Sequence, residues 1–330
     1  MKKFLFPVLA GLALVSCSQS ETIQEFNDPA EINFNVGIIS SRSAISSNGS
    51  GLLTDPTSLN VYFVRASDKD VVDWSTVGTT AQSVAGFGAG LIGGTIDANG
   101  KVTFKDSNFT NEVKQYYNAD PALYSHLVGF YPSATLSVDA GATVATWDID
   151  GKSDVIVSNY VNGKKGDAAK ELTFKHLLTW LVFNVEAENQ AAKDVWGDVV
   201  SVKIRNIYPQ ITSTFNGTNY NYAHTGTKRT LDTFTATDGV PDIKPLPVSP
   251  TSSSYFSQAM VHSGEPSFDV EIVTTKNATP TVVNVKFAGD ANATQGSRHI
   301  VTLTFRASEI TANAKVTAWE NGAPGSANVD

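Results

Sequence analysis

The residues able to do chemistry are few, and their spacing does not suit it. Gly88-Ala89-Gly90-Leu91-Ile92-Gly93 fits the glycine pattern of a dinucleotide loop, but that chemistry needs a helix N-terminus directly after it to face the pyrophosphate. The next stretch, Thr95 to Val102 with Asp97-Ala98-Asn99-Gly100 at its centre, reads as a hairpin, so the glycines are assigned to a strand or loop. Asp148-Ile149-Asp150-Gly151 has the acidic start of a calcium loop, yet glycine stands at its fourth place and no glutamate at its twelfth, so it is read as a turn after a strand. His126, His176, His224, His262 and His299 never fall at the spacings of a zinc finger or a zinc protease. No G-x-S-x-G elbow presents a nucleophile. The chain is therefore read as a non-enzyme that needs no cofactor and no metal.

The one cysteine, Cys17, has a use of a different kind. Lys2 and Lys3 precede an apolar run from Phe4 to Val15, which is too short to anchor stably across a bilayer core of about 30 Å. The run ends in Leu14-Val15-Ser16-Cys17, which resembles the bacterial lipobox, where the signal is cut before the cysteine and the thiol becomes a thioether to a diacylglycerol. Residues 1–16 are thus a lipoprotein signal peptide, Cys17 is the lipidation site, and residues 17–30 form a polar tether.

Composition narrows the class further. The 330 residues are 41% hydrophobic and 17% charged, a globular balance, with a formal net charge of -8. Loss of Lys2 and Lys3 leaves 22 basic against 32 acidic side chains, or -10, and nowhere do Lys and Arg cluster. A nucleic-acid partner has no electrostatic footing.

The elements that must carry any site are short strands. Ile32, Phe34, Val36 and Ile38 alternate with Glu31, Asn33, Asn35 and Gly37, the pattern of a half-buried strand. Similar runs recur at 59–64, 102–104, 126–131, 144–149, 154–158, 181–186, 199–204, 268–273, 282–287, 300–305 and 314–319. Only 111–117 and 187–196 look capable of a helical turn or two. Many short strands without long intervening helices imply all-β antiparallel sandwiches. The polar stretch Asn162–Lys170 divides the rest into a domain at 31–170 and another at 171–330, and the proline-rich Asp238–Ser254 is assigned to an ordered loop of the second.

Several segments in order resemble the fimbrillin family, the pilus subunits and pilus-associated lipoproteins of Bacteroidales. They are the lipobox at Cys17, the strand Glu31-Ile39 followed by Arg42, Val128-Gly129-Phe130-Tyr131-Pro132, Asp154-Val155-Ile156-Val157, Leu172-Thr173-Phe174-Lys175-His176-Leu177-Leu178, and the ending from Gly296 to Gly322. Where the family often has Phe-x-His-x-Leu-Ser, this chain has Leu178-Thr179. The resemblance implies two transthyretin-like β-sandwich domains and a lipidated precursor. It also implies proteolytic removal of the first strand at an arginine, here Arg42, and polymerisation when another subunit's C-terminal strand fills the vacated groove. The displaced strand would carry Ile32, Phe34, Val36 and Ile38, and the candidate donor Ala314, Val316 and Ala318, with Val301, Leu303 and Phe305 on the preceding strand as the alternative. Expected partners are other pilus subunits, identical or paralogous, a processing protease, and a host or bacterial surface receptor or glycan. The expected place is the cell outer membrane, through the precursor's lipid (palmitate), and then the fimbrium. Two other readings stay open: an uncleaved pilus anchor, and a surface glycan-binding lipoprotein using Tyr220, Tyr222 and Trp319 to stack on sugars.

Overall fold

A computed structural model of the chain describes residues 30–33, 36, 58–68, 70–77, 91–97, 99–106, 108–139, 141–169, 171–233, 245–248, 257–287 and 292–318. Cys17, Phe34, Ile38, Arg42 and Trp319 lie outside the described residues. The first strands are β1 (Ser58–Asp68), β2 (Leu91–Asp97), β3 (Val102–Lys105), β4 (Tyr124–Tyr131), β5 (Thr135–Asp139), β6 (Ala142–Asp148), β7 (Ile156–Ser158), β8 (Val161–Gly163) and β9 (Phe174–His176). The rest are β10 (Leu178–Ala187), β11 (Val199–Ile207), β12 (Gln210–Asn216), β13 (Asn219–Thr225), β14 (Arg229–Asp232), β15 (Ser257–His262), β16 (Ser267–Thr274), β17 (Thr281–Lys286), β18 (Ser297–Phe305) and β19 (Ile310–Ala318).

The expected all-β class is what these elements make, with one short helix, α1 (Gln190–Trp196), between β10 and β11. Asn189 starts that helix by accepting the Ala192 N–H at 2.9 Å, and Gly197 ends it at φ +72°. The other expected helical turn, at 111–117, is a correction: the segment runs extended, with Glu112 bridging Lys105 and Tyr116 bridging Glu31. Its helix-compatible composition loses to the open edges beside it, which offer partners for its backbone. A 3-10 turn at Trp74–Thr76, capped by Asp73, was not legible in the pattern.

Four sheets result. One has the order β3-β2-β1-β4-β7-β9, with β8 also on β4; the others are β15-β10-β18-β19, β14-β11-β16-β17 and β13-β12-β6-β5. The boundary between 170 and 171 falls between β8 and β9, both in the first sheet, while β6 pairs with β12 across it. Among these strands pairing is antiparallel except where β18 runs parallel to β10; the isolated bridges Val36–Leu172, Ala187–Val248 and Phe287–Ala314 are also parallel.

Side-chain alternation explains the core. On β1, Val61 and Phe63 join one apolar cluster, with Ile32, Val36, Ile92, Phe104, Leu127 and Phe174; Val64 and Ala66 face the other, which continues through Phe130, Trp147, Phe183, Phe215 and Phe305. The first sheet is thus buried on both faces. Within the proline-rich stretch, Leu246 is fully buried and the Pro247 carbonyl accepts the Ala187 N–H at 2.8 Å, so the described part of it is ordered against β10.

Candidate assembly interface

The first segment lies in a groove of the small apolar cluster. Ile32 and Val36 are 2% and 8% exposed. The Ile32 N–H donates to the Gln115 carbonyl at 2.8 Å and the Tyr117 N–H to the Ala30 carbonyl at 2.9 Å, an antiparallel pairing that the Glu31–Tyr116 bridge marks. Four residues on, the Val36 N–H donates to the Gly100 carbonyl at 2.7 Å, and Val36 forms a parallel bridge to Leu172. Gly100 is at φ +82°, and a Cβ there would stand 2.5 Å from the Val36 carbonyl oxygen, so the hairpin turn read at 97–100 also allows the close approach. Outside the groove, Lys114 pairs with Glu31 at 2.9 Å.

The segment 112–117 forms the rail for this pairing. It is tied to β3 by the Val113 N–H donating to the Phe104 carbonyl at 3.0 Å and by the Lys105–Glu112 bridge. Further on, Tyr117 is buried and its hydroxyl accepts the Ala169 N–H at 2.8 Å.

The other end of the chain is held differently. β19 pairs with β18 along its whole length, from Phe305–Ile310 to Ser297–Ala318. Ala314 is buried and bridges Phe287, and Val316 and Ala318 sit opposite His299 and Ser297. β18 lies between β10 and β19, whereas β19 ends the order of its sheet.

The remaining candidates are placed in structural roles. Gly93 is a β2 residue paired with β1 and β3. Asp150 accepts the backbone N–H groups of Lys152 and Ser153, each at 2.7 Å, and so caps its own turn. His176 bonds the buried Asp154 carboxylate, and His126 lies 2.7 Å from the Tyr160 hydroxyl. Tyr220 is not an exposed ring: it packs on Phe215, and its hydroxyl donates to the Ser158 carbonyl at 2.6 Å. Tyr222 is the more open of the pair, and burial still pushes its phenol up to about 12.

Sequence spacing gave no sign of one cluster. His224 and His262, far apart in the chain, lie 5.2 Å apart between ring centres, and His262 Nε2 is 3.1 Å from Glu265, which also pairs with Lys228 at 2.9 Å. Burial, aided by His262, lowers His224 to about 4, and burial lowers His262 as well. His299, against Phe287, is lowered to about 4 by burial alone. Among the described residues no group of three His, Cys, Asp or Glu side chains could hold a metal ion.

A profile of the family described as Fimbrillin-like matches residues 66–319, well over half of the chain. The chain belongs to the fimbrillin-like family. As a member it is a structural, non-enzymatic protein of the extracellular surface, with a pilus-subunit role. A candidate cell adhesion protein from Bacteroides uniformis is similar in fold, with a TM-score of 0.50 and 16% identity over 88% of this chain and 99% of that one. A fimbrial protein from Bacteroides vulgatus scores 0.40 at 12% identity over 88% and 99%. The tip fimbrial protein Mfa3 from Porphyromonas gingivalis, with a C-terminal truncation, scores 0.39 at 6% identity over 88% and 100%. No curated protein sequence matches this fimbrillin-like chain.

Proposed function

We propose that this chain is a stalk or tip subunit of a surface pilus, structural or adhesive, that assembles by donor-strand exchange. The observation supporting this reading is the first segment, which among the described residues is seated by the buried side chains of Ile32 and Val36 and by backbone bonds to Gly100, Gln115 and Tyr117. Burial of Ile32 and Val36 contributes about 1.5–3 kcal/mol each as an upper bound, and its loss leaves an apolar groove with unpaired backbone beside it. An alternating strand from another chain satisfies both needs by β-augmentation.

In this scheme Cys17 carries the lipid to the outer membrane, cleavage at Arg42 releases the strand of Ile32, Phe34, Val36 and Ile38, and the partners are further pilus subunits. Two transthyretin-like sandwiches, centred on 31–170 and 171–330, make the body. The donor is β19, with Ala314, Val316 and Ala318, because withdrawing β18 would split its sheet between β10 and β19.

Intact mass and N-terminal sequencing of the protein taken from cell surfaces test this. The expected polymer subunit begins at Ser43 and carries no lipid, while its precursor begins at an acylated Cys17. A lipidated Cys17 start within assembled pili would instead establish the uncleaved anchor. Cys17→Ala is expected to abolish acylation and outer-membrane fractionation, and retention of both would overturn the lipoprotein assignment.

A further inference from the structure

We infer that Arg65 is a positioning residue for strand exchange: it braces the 115–117 rail when the first segment is absent, so that the rail can receive the incoming strand of a second subunit. The inference rests on the exchange reading above and adds to it the residue that keeps the acceptor in shape.

Backbone directions carry the argument. Successive carbonyls of an extended segment point to opposite sides. The Gln115 carbonyl and the Tyr117 N–H face residues 30–32, so both lose their partners when that segment leaves. The Tyr116 carbonyl points the other way and accepts Arg65 Nη2 at 2.7 Å. The same guanidinium donates from Nη2 to Ser125 Oγ at 3.0 Å and from Nη1 to Gln115 Oε1 at 3.3 Å. Arg65 thus ties the rail to β4 from β1, two strands paired within the first sheet. The neighbouring tie, Val113 to Phe104, lies two residues short of the exchange edge.

The cation is also used in an unusual way. Among the described residues no carboxylate pairs with Arg65, and burial lowers its affinity for its proton. A half-buried guanidinium without a counter-ion is costly to keep. Its donors go to neutral oxygens, two of them on the rail, which suits a planar fork holding backbone in register.

The test uses the mature chain with a specific protease sequence replacing residues 41–46, folded and then cut once, so that the first segment remains only by non-covalent contact. A fluorescent peptide of residues 30–39 is the probe. Wild-type protein is expected to take it up, Arg65→Met to take up about tenfold less at equal peptide concentration, and Arg65→Lys to recover part of the loss. Equal uptake by wild type and Arg65→Met overturns the inference. Hydrogen exchange on the uncut proteins is the second readout. Faster exchange at 113–117 in Arg65→Lys, with β18 and β19 unchanged, supports the brace, and unchanged exchange at 113–117 overturns it. If wild type takes up no peptide, the exchange reading itself falls, and the role of Arg65 as a brace is then decided by this second measurement.

Discussion

The two ends of the described chain bury comparable side chains but are fastened in different ways. Ile32 and Val36 at the front, like Ile310 and Ala314 at the back, are all under a tenth exposed. The front segment, among the described residues, pairs at Tyr116 and Leu172 and bonds to Gln115, Tyr117 and Gly100, whereas β19 runs a continuous nine-residue register along β18. Side-chain burial holds a segment in place, and a ladder makes it part of a cooperative unit. The described front bonds end on Gly100, Gln115 and Tyr117, outside the named strands, so the β1–β2 and β1–β4 registers do not depend on them, whereas β19 covers the full length of β18.

The largest expected effect tests this asymmetry directly. Truncation after Asn313 removes Ala314 and half of the β19 register and uncovers Phe287, so the melting temperature should fall by roughly 10 °C or more, as expected for several kcal/mol in a chain of this size. Removing residues 1–42 should cost less than half of that. Scanning calorimetry of both truncations decides the matter, and a larger loss from the front deletion would reverse the comparison. The assembly readout is separate: if β19 is the donor, the C-terminal truncation should cap polymers of wild-type protein rather than extend them.

Single substitutions give the next largest effect. Ile32→Ala should cost about 2 kcal/mol, the low end for such a truncation, since the loss cannot exceed what the whole segment contributes. Hydrogen exchange should speed up at 30–33 and 113–117 while β18 keeps its protection. Spread of the effect into β18 would mean that the two apolar clusters unfold as one.

Three histidines of the back half are expected to make it lose stability in acid. His224 on β13, half-buried, and His299 on β18, buried, are each lowered to about 4, and the buried His262 on β15 is lowered as well. A histidine with a depressed folded pKa binds its proton more readily in the unfolded chain, so its contribution is present above about 6.5 and is lost as pH falls toward 4. Unfolding by urea at pH 7.5, 6 and 4.5 should show falling stability, with exchange protection in β13 and β15 lost before that in β1 and β2. Flat stability over this range would remove the asymmetry in charge while leaving the asymmetry in pairing.

Legibility in the sequence tracked burial geometry. β16, where buried and half-buried residues alternate without a break, announced itself, whereas β12, with the same alternation but only threonine and serine between its two large apolar residues, was not read as a strand. β15, Ser-Gln-Ala-Met-Val-His, is buried at every position and has no period to read. The three-residue strands β7, β8 and β9 are too short for periodicity, and only the 154–158 run anticipated one of them. β13, Asn-Tyr-Asn-Tyr-Ala-His-Thr, is a mostly exposed edge with no apolar stripe. The groove was half legible: alternation at 31–38 marked the segment that fills it, but nothing in Gln115 or Tyr117 marks a rail, since their use depends on backbone direction. The histidine cluster depends on the register of β13 against β12 and on the end of β15, which single-sequence patterns do not carry.

The smallest expected effect asks what holds the front segment in the first place. Lys114 and Glu31 form the visible ion pair across it, and the Lys114 ammonium, with Glu31 as the main cause, holds its proton more tightly than usual. Both groups are open to solvent, where water and salt screen the attraction and the long lysine loses freedom by pairing. The apolar side chains beneath are out of reach of salt. Lys114→Ala and Glu31→Ala, singly and together, should therefore leave the melting temperature without a resolvable change between about 0.05 and 0.5 M sodium chloride, within the screening range that abolishes exposed pairs. Ile32→Ala should remain destabilising at every salt concentration. A marked salt-dependent loss in Lys114→Ala that vanishes in the double variant would show that charge, rather than burial, seats the segment. Release would then respond to ionic strength, and the contrast with β19 would become one of electrostatics rather than of backbone pairing.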